Sequence, residues 1–455
     1  MPQRDKLPYF RNGHPRRSRV LQVCRSAPEI VGSFCSLFVD YYTNCRALQQ
    51  ELRWRRLINL MHLESMRYIR LMPLLLLIAC GESSTDIAKL VITIEPPSLG
   101  LIVGVGGTYD FAVSVSDESG YVAHGQNVTW SVENPAIATI DQSGLATSVA
   151  EGETTVTASV GEVSSSASLE VYVREPILGY EVGKSYFGRN GYVEYIPGEL
   201  PLVISAPHGG RLRPNEAKDR SYGATGSDLN TIELSLAVRD AFINVTGYAP
   251  HLIISHLHRS KLDPNREIVE AAQGDPFAEN AWHEFQDWIT KARDLVSEDN
   301  ARGLYFDMHG HGHPIPRVEL GYLLSRADLN QSDSDLNNMA IVGKSSIRDL
   351  GRDAPETFSE LLRGPKSFGG FLRNEGVRSI PSPGDPSPAS DPYFTGGYNT
   401  RTHGSRSPGE VISGIQLEHQ YAGLRDSDVN RRVYAAQLVS ATRLFMLEHF
   451  ALAGR

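Results

Sequence analysis

From residue 202 onward, short apolar runs alternate with longer stretches of helical periodicity, and this alternation constrains the fold more than any other feature of the sequence. Strands are predicted at 202–206, 251–256 and 303–308, and helices at about 228–243, 277–297 and 428–449. Parallel strands need long crossover connections, which are usually helices. The alternation therefore predicts an α/β fold with three layers around a mostly parallel sheet.

Polar side chains that can bind metals or substrates follow the predicted strands. The segments of this kind are 207–210, 256–266, 307–313 and 416–418, the last after a predicted strand at 411–415. In open α/β sheets, ligands bind outside the carboxyl ends of the strands. The fold would bring these distant segments to the same edge of the sheet. We therefore predict one site that is built from all four of them.

The positions of the cysteines limit the kind of metal site. Cys24, Cys35, Cys45 and Cys80 all lie in the N-terminal fifth of the chain, and no cysteine follows them. A metal site beyond residue 80 must therefore use histidine and carboxylate ligands.

The net charge of −9 argues against nucleic acid as a partner, because a phosphate-binding protein needs a basic face.

Five motifs in the second half of the chain carry a resemblance to a known family. They are PHGG at 207–210, DPNR at 263–266, DMHGH at 307–311, GGYNT at 396–400 and QLE at 416–418. Over about 201–435, the chain resembles the N-formylglutamate amidohydrolases, which in turn resemble the zinc carboxypeptidases and aspartoacylases. The resemblance implies a carboxypeptidase-like α/β/α domain with one zinc ion, which activates a water to hydrolyse an amide next to a carboxylate.

The resemblance also implies that two histidines and one carboxylate hold the zinc ion. His208 and His309 match the two histidines. The carboxylate departs from the carboxypeptidase pattern, because the position three residues after His208 is Arg211 rather than a glutamate. We predict Asp228 as the third ligand, since a carboxylate remote in sequence can also reach the metal. The alternatives are Glu216 and Glu233.

Catalytic and substrate-binding roles follow from the same resemblance. Glu418 matches the general base, which takes a proton from the water and passes it to the leaving amine. Asn265 and Arg266 match the pair that grips the substrate carboxylate. Arg259, shortly before that pair, is predicted to stabilise the oxyanion that forms when the carbonyl is attacked.

Further substrate contacts are predicted around the site. Glycines at 310 and 312 indicate that the strand ends near His309, so His311 and His313 are expected to support the ligands or to contact the substrate. The proline-rich stretch 381–388 can form neither a helix nor a central strand, and we predict a loop over the site here. Arg401 or Arg406 could reach a second substrate carboxylate from this side.

Residues 66–80 read MRYIRLMPLLLLIAC and look like a targeting segment. Two arginines precede an apolar run that is too short to span a bilayer and suits a signal peptide. The last four residues resemble the bacterial lipoprotein box, which implies that Cys80 is lipidated and that residues 81–88 form a tether. The protein is then anchored in the cell envelope, in the outer membrane of a diderm cell.

Residues 1–65 precede this targeting segment, and we expect them to be absent from the mature protein as an over-extended gene start. The alternatives are a genuine N-terminal extension and, for residues 66–80, an ordinary secretory signal or a chance apolar helix.

Residues 89–174 show short alternating runs, such as 109–115, separated by turn residues, which predicts an antiparallel β-sandwich with Trp130 in its core. The motifs VTWS at 128–131, PAIATID at 135–141, SGLA at 143–146 and GETTVTA at 152–158 resemble the bacterial immunoglobulin-like domain of group 2. The resemblance implies a spacer or an adhesion module, and we favour a spacer. Residues 175–198 are predicted as a linker and first hairpin, and 199–455 as the hydrolase domain.

Together these predictions describe an exported lipoprotein that hydrolyses an N-acyl or N-formyl amino acid or a peptide with a free carboxylate. One alternative is a cell-wall or peptide carboxypeptidase. The other is a surface binding protein with an inactive hydrolase domain. Arg211 in place of the expected glutamate favours inactivity, whereas His208, His309, Arg266 and Glu418 favour an enzyme.

Overall fold

The computed structural model describes residues 89–175, 177 and 179–450. The predictions for Cys80, for the signal peptide and tether, and for residues 1–65 lie outside this part of the chain. Within it, no helix is long and apolar enough to cross a membrane.

The first described region is a β-sandwich of short strands. They are β1 (Leu90–Glu95), β2 (Leu99–Val103), β3 (Thr108–Asp110), β4 (Ala112–Asp117), β5 (Thr129–Val132), β6 (Ala138–Ile140), β7 (Leu145–Ser148), β8 (Gly152–Val160) and β9 (Val163–Tyr172). The sheets have the orders β2-β9-β8-β5, β3-β7-β6 and β1-β4. Trp130 is buried, with its ring 6.4 Å from that of Phe111. The predicted sandwich is confirmed.

Two details of the sandwich differ from the sequence prediction. The stretch 109–115, which reads as one alternating run, is divided between β3 and β4. The break falls at Phe111, whose N–H donates to the carbonyl of Gly144 at 3.0 Å and whose side chain is buried in the core. The sandwich is also not wholly antiparallel, because β2 pairs with β9 in parallel.

The second region is built on an eight-stranded sheet. Its strands are β10 (Tyr186–Phe187), β11 (Val193–Ile196), β12 (Leu202–Ala206), β13 (His251–Ser255), β14 (Gly303–Gly310), β15 (Val318–Gly321), β16 (Ser379–Ile380) and β17 (Ile412–His419). Their order is β10-β11-β13-β12-β14-β17-β15-β16, and the central strands β13, β12, β14 and β17 are parallel. The sheet is more mixed than predicted, because β11 and β15 run antiparallel to their inner neighbours.

Helices connect the strands and flank the sheet. They are α1 (Thr231–Thr246), α2 (Ile268–Ala272), α3 (Pro276–Asn300), α4 (Arg326–Leu329), α5 (Asp333–Leu336), α6 (Met339–Val342), α7 (Arg348–Asp353), α8 (Phe358–Arg363), α9 (Phe368–Asn374), α10 (Tyr398–His403) and α11 (Asp428–His449). A 3-10 turn lies at Arg189–Gly191, and an irregular π-type turn at Tyr421–Arg425 precedes α11.

Helices cover both faces of the central strands. Even-numbered residues of β12 and β14, such as Ile204 and Phe306, pack in one core with α1 and α11. Odd-numbered residues, such as Val203 and Tyr305, pack in a second core with α3. The three-layer α/β fold that the sequence predicts is therefore confirmed.

The register of the sheet places polar side chains in two rows on the face of α3. Asp307 and Gln416 are neighbours across β14 and β17. One pleat nearer to the carboxyl end, His309 pairs with Glu418, and Glu418 pairs with Glu319 on β15. Since alternate residues of a strand share a face, the two rows lie on the same side of the sheet.

The sandwich packs directly against the second region. Nε of Arg189 donates to Oε1 of Glu170 on β9 at 2.7 Å, and both side chains are largely buried. Leu101 of β2 packs with Phe277 of α3 in a small apolar cluster. The sandwich thus has a fixed contact with α3, which a simple spacer does not require.

Candidate metal centre and active site

Two imidazole nitrogens and one carboxylate oxygen face one another beyond the ends of β12 and β14. The Nδ1 atoms of His208 and His309 are 3.1 Å apart, and each lies 3.3 Å from Oδ2 of Asp228. All three side chains, named here the triad, are buried. Tetrahedral ligands at about 2.0–2.2 Å from zinc stand roughly 3.3–3.6 Å apart, so the triad, with separations of 3.1–3.3 Å, is slightly smaller than zinc requires but close to that size.

A buried carboxylate holds the outer nitrogen of each histidine. Nε2 of His208 lies 2.6 Å from Oδ1 of Asp263, and Nε2 of His309 lies 2.8 Å from Oδ2 of Asp307. A neutral imidazole that donates its Nε2 proton presents the lone pair of Nδ1 on its other side. Carboxylate–histidine pairs of this kind orient the ligands of metal sites. The donor set therefore fits a divalent cation.

The charges around the triad also favour a positive ion. Burial raises the pKa of Asp228, but His208 and His309 outweigh this effect and hold the pKa well below its usual value. Burial lowers the pKa of His309, whereas Asp307 and Asp228 raise it well above the usual range. Ionised carboxylates thus surround the two rings, and they stabilise positive charge at the centre.

Asp228 reaches the centre because of the turn that precedes α1. Its backbone N–H donates to the carbonyl of His208 at 2.9 Å, and the N–H of Gly310 donates to its Oδ2 at 3.1 Å. Gly209 allows the approach, since a Cβ at this position would lie 2.7 Å from Oγ1 of Thr231 at the start of α1. The PHGG motif and the start of α1 therefore pack too closely for a larger residue at 209.

The carboxylates considered as alternative ligands have other partners. Tyr192 donates its hydroxyl to Glu216. Glu233 lies 2.8 Å from Nη2 of Arg211, which is itself exposed. Of the three candidate carboxylates, Asp228 is the one that lies beside His208 and His309.

Glu418 lies beside the triad as the ladder partner of His309. Nε2 of Gln416 donates to Oε1 of Glu418 at 2.8 Å and fixes the carboxyl group. Burial raises the pKa of Glu418 to about 7, and the charges of Asp228 and Glu319 act in the same direction. A carboxyl group with a pKa near neutrality can accept a proton and release it again.

Arg259 supplies positive charge next to the triad. Its Nε donates to Oδ2 of Asp263 at 2.9 Å, and its Nη1 lies 3.7 Å from Oδ1 of Asp228. Arg220, a buried residue that the sequence analysis does not single out, donates to the carbonyl of Arg259 at 2.9 Å. The guanidinium of Arg259 is thereby held at the side of the centre, where an oxyanion could form.

Asn265 and Arg266, which were predicted to bind the substrate together, lie in different environments. Asn265 is buried, accepts the N–H of Asn399 at 2.8 Å and donates to Gln416 at 3.4 Å. These bonds occupy the side-chain amide of Asn265 within the protein. They favour a role in positioning neighbouring groups over the predicted contact with the substrate. Nε of Arg266 lies 3.2 Å from Oε1 of Glu270, and about a third of its side chain is exposed. Arg266 can therefore be reached from solvent.

The other two predicted substrate contacts also have partners within the protein. His311 is buried, its Nε2 lies 2.7 Å from the carbonyl of Arg317, and its Nδ1 accepts the N–H of His313 at 3.1 Å. Both ring nitrogens are thus occupied, which favours a supporting role over the predicted contact. Arg401 is half-exposed on α10 and lies 3.5 Å from Glu267.

A second cluster of two histidines and a carboxylate is formed by His311 and His313, which follow β14, and by Glu319 on β15. Nδ1 of His313 lies 2.9 Å from Oε1 of Glu319, and Nε of Arg317 lies 3.7 Å from the same oxygen. The N–H of Phe394 donates to the other oxygen of Glu319 at 2.8 Å. These contacts tie the second cluster to Phe394, which follows the proline-rich stretch 381–388 that was predicted as a loop over the site.

Several functional neighbours of the triad are not identified by the sequence analysis. Asp263 and Asp307 lie within the recognised motifs but receive no role there. A signal exists for Asp307, because it precedes His309 by two residues on the same strand and must share its face. No comparable signal marks Arg425, which enters the site from the turn before α11.

The sandwich has a recognisable family. Residues 91–171 match the model of the bacterial Ig-like domain (group 2). This region is a bacterial Ig-like domain. A solved structure of domains 4 and 5 of the S-layer protein SbsC is similar to the chain at 25% identity, with 18% of this chain and 50% of that chain covered and a TM-score of 0.16.

Two further solved structures are similar over a longer part of the chain. Gene product Atu2144 from Agrobacterium tumefaciens is 12% identical, with 56% of this chain and 95% of that chain covered and a TM-score of 0.33. An N-formylglutamate amidohydrolase from Ralstonia eutropha JMP134 is 14% identical, with 56% and 96% covered and a TM-score of 0.34. No curated protein matches. Because these sequence identities and TM-scores are low, the chemistry of the chain has to be inferred from its own residues.

Proposed function

We propose that the α/β region is a metal-dependent hydrolase that cleaves an amide next to a carboxylate. His208, Asp228 and His309 would hold one divalent ion, with zinc as the expected metal. The observation that carries this proposal is the triad itself, in which Asp263 and Asp307 orient two imidazole lone pairs and the Asp228 carboxylate towards one point.

When bound, zinc supplies a Lewis acid that activates water and polarises a carbonyl. Glu418 is proposed as the general base, which accepts the proton of the attacking water and gives it to the leaving amine. Arg259 is proposed to stabilise the negative charge on the carbonyl oxygen. Its Nη1 lies 3.7 Å from Asp228, so its charge is available at the edge of the triad.

The proposed substrate is an N-acyl or N-formyl amino acid, or a peptide with a free carboxylate. Arg266 supports this choice, because an accessible guanidinium can bind a carboxylate through two parallel hydrogen bonds once it releases Glu270. Arg266→Ala should raise KM for a carboxylate substrate more than it lowers kcat, and should hardly affect the matching substrate amide. Equal losses on both substrates would contradict this role.

The location proposed for the enzyme is the cell envelope, with a lipid anchor on Cys80. The Ig-like domain is compatible with this location, and the anchor rests on the resemblance of residues 77–80 to a lipoprotein box. N-terminal mass analysis of the native protein should find a lipidated Cys80 and no residue before it. An intact Met1, or a water-soluble product that retains residues 1–65, would contradict the anchor.

The experiment that tests the function combines metal analysis with a substrate panel. The chain from residue 81 should contain about one zinc ion and hydrolyse N-formyl and N-acyl amino acids. His283→Ala, which alters an exposed histidine on α3, is a matched control and should behave like the wild type. Preference for C-terminal peptide bonds would favour the carboxypeptidase alternative. A protein without metal and without activity on any of these substrates would favour the inactive binding protein.

A further inference from the structure

Arg425 is a buried arginine that none of the proposed chemistry uses. It lies in the turn before α11 and is 5% exposed. Its Nε donates to the carbonyl of His419 at 3.2 Å, and its Nη1 donates to the carbonyl of Leu229. Its Nη2 lies 3.5 Å from the carbonyl of His311. One guanidinium therefore contacts three segments that are far apart in sequence.

Each of these carbonyls belongs to a neighbour of a proposed functional residue. Leu229 directly follows Asp228, and His419 directly follows Glu418. His311 follows His309 by two residues. We propose that Arg425 is a positioning residue, which fixes the metal carboxylate, the metal histidine and the general base relative to one another. This inference rests on the proposed function, since it assigns Arg425 to the same site.

The close packing of Arg425 against Gly310 also supports the proposal. A Cβ built at Gly310 would lie 2.4 Å from Cζ of Arg425 and 2.5 Å from its Nη2. The guanidinium therefore occupies the space that a side chain at 310 would need. The glycine between His309 and His311 thus has a packing reason, which is separate from the ending of β14.

Arginine is the residue type that this position requires. Its planar guanidinium offers five N–H groups in a fixed arrangement, whereas lysine offers a single point of charge. The guanidinium also lies 5.1 Å from the ring centre of Tyr421, which covers it. Its charge is compensated at longer range by Asp228 and Glu418, whose negative charges oppose the effect of burial on the pKa of Arg425.

The first test measures zinc affinity by competition with a chelating dye in the chain from residue 81. Partners that orient metal ligands typically contribute about 10–100-fold to affinity or activity. Arg425→Gln should lose affinity in that range, and its kcat at saturating zinc should fall by a similar factor with KM little changed. Arg425→Lys should fall between this variant and the wild type. Arg432→Gln, an exposed arginine on α11, is the matched control and should match the wild type.

The second test uses Gly310→Ala alone and together with Arg425→Gln. The added methyl group should displace the guanidinium and reproduce the loss of zinc affinity. In the Arg425→Gln background, Gly310→Ala should cause little further loss of zinc affinity. The two changes break the same contact, so their effects should not be additive. This variant keeps the proposal testable if Arg425→Gln does not fold.

The outcomes separate this inference from the proposed function. If the wild type binds zinc and hydrolyses its substrate while Arg425→Gln and Gly310→Ala retain full zinc affinity and kcat, the positioning role is overturned. The same conclusion follows if the variants lose only thermal stability, since a purely structural residue would do so. If the wild type itself binds no divalent ion, the proposed function fails, and the inference that rests on it fails with it.

Discussion

Two clusters near the carboxyl ends of the central strands each combine two histidines with one carboxylate. In the triad, a buried aspartate binds the outer nitrogen of each ring, and the inner nitrogens of His208 and His309 face Asp228. In the second cluster, both nitrogens of His311 have backbone partners, and Arg317 already lies beside Glu319. Residue types alone do not distinguish a metal site. What differs between the two clusters is the set of partners of the ring nitrogens, because an arginine lies 3.7 Å from the carboxylate in each.

The largest effect is expected for His208→Ala. This change removes one of the three proposed ligands, so metal occupancy should fall from about one ion per chain to near zero, and activity should fall with it. Elemental analysis by mass spectrometry measures the metal. Full occupancy in His208→Ala would mean that the triad does not hold the metal. If the metal is lost in His208→Ala but retained in Asp228→Ala, only the assignment of Asp228 as the third ligand is wrong.

The next largest effect is expected for Glu418→Gln, which tests chemistry beside the triad without touching a ligand. Glutamine keeps the shape of the side chain but cannot act as a base, so kcat should fall by about 10²–10⁴-fold. Metal content should stay at the wild-type level. Steady-state kinetics with parallel metal analysis measures both quantities, and a kcat close to that of the wild type would exclude the base role.

A smaller effect is expected for Asp307→Asn, which changes the outer partner of His309 in the triad. Asparagine removes the negative charge that orients His309, and zinc affinity should weaken by about 10–100-fold. Glu319→Gln is the matched variant, because it neutralises the buried carboxylate of the second cluster. It should leave zinc affinity unchanged. Equal losses in the two variants would mean that both clusters contribute to one metal site.

The smallest effect is expected for His313→Ala. The imidazole lies 2.9 Å from Glu319 and stacks on Phe394 with the ring centres 4.5 Å apart. Its removal should lower the free energy of unfolding by about 1–3 kcal/mol, as expected for the loss of a buried hydrogen bond to a charged group. Zinc affinity should not change. Chemical denaturation measures the first quantity, and any loss of zinc would show that the second cluster serves the metal.

His208 and His309 could be predicted because their motifs resemble those of a known family, and Asp228 because it lies near the start of a predicted helix. His208 follows β12, His309 is the last residue but one of β14, and Asp228 precedes α1. The carboxyl ends of parallel strands meet at one edge, so segments far apart in sequence converge there. The helix α11 was also predicted with its observed bounds.

Other parts of the site could not be predicted, because they depend on contacts that leave no pattern in the sequence. Arg425 acts on backbone carbonyls, which every residue possesses, so its partners cannot be recognised from their side chains. Asn265 stands in a motif that suggests substrate binding, yet its amide bonds with Asn399 and Gln416. The orientation of such a group is decided by tertiary packing.

The pleat of β17 makes the site intolerant of any change in strand length. Gln416 and Glu418 share one face, while Leu417 and His419 lie on the other, where His419 packs against Tyr434 of α11. Deleting one residue upstream in β17 would exchange these faces and bury Glu418 in the apolar core. Deleting two would restore the face but move the carboxylate by about 7 Å along the strand, away from His309. Differences in length among related chains should therefore fall in the loops, with the spacing inside β14 and β17 unchanged.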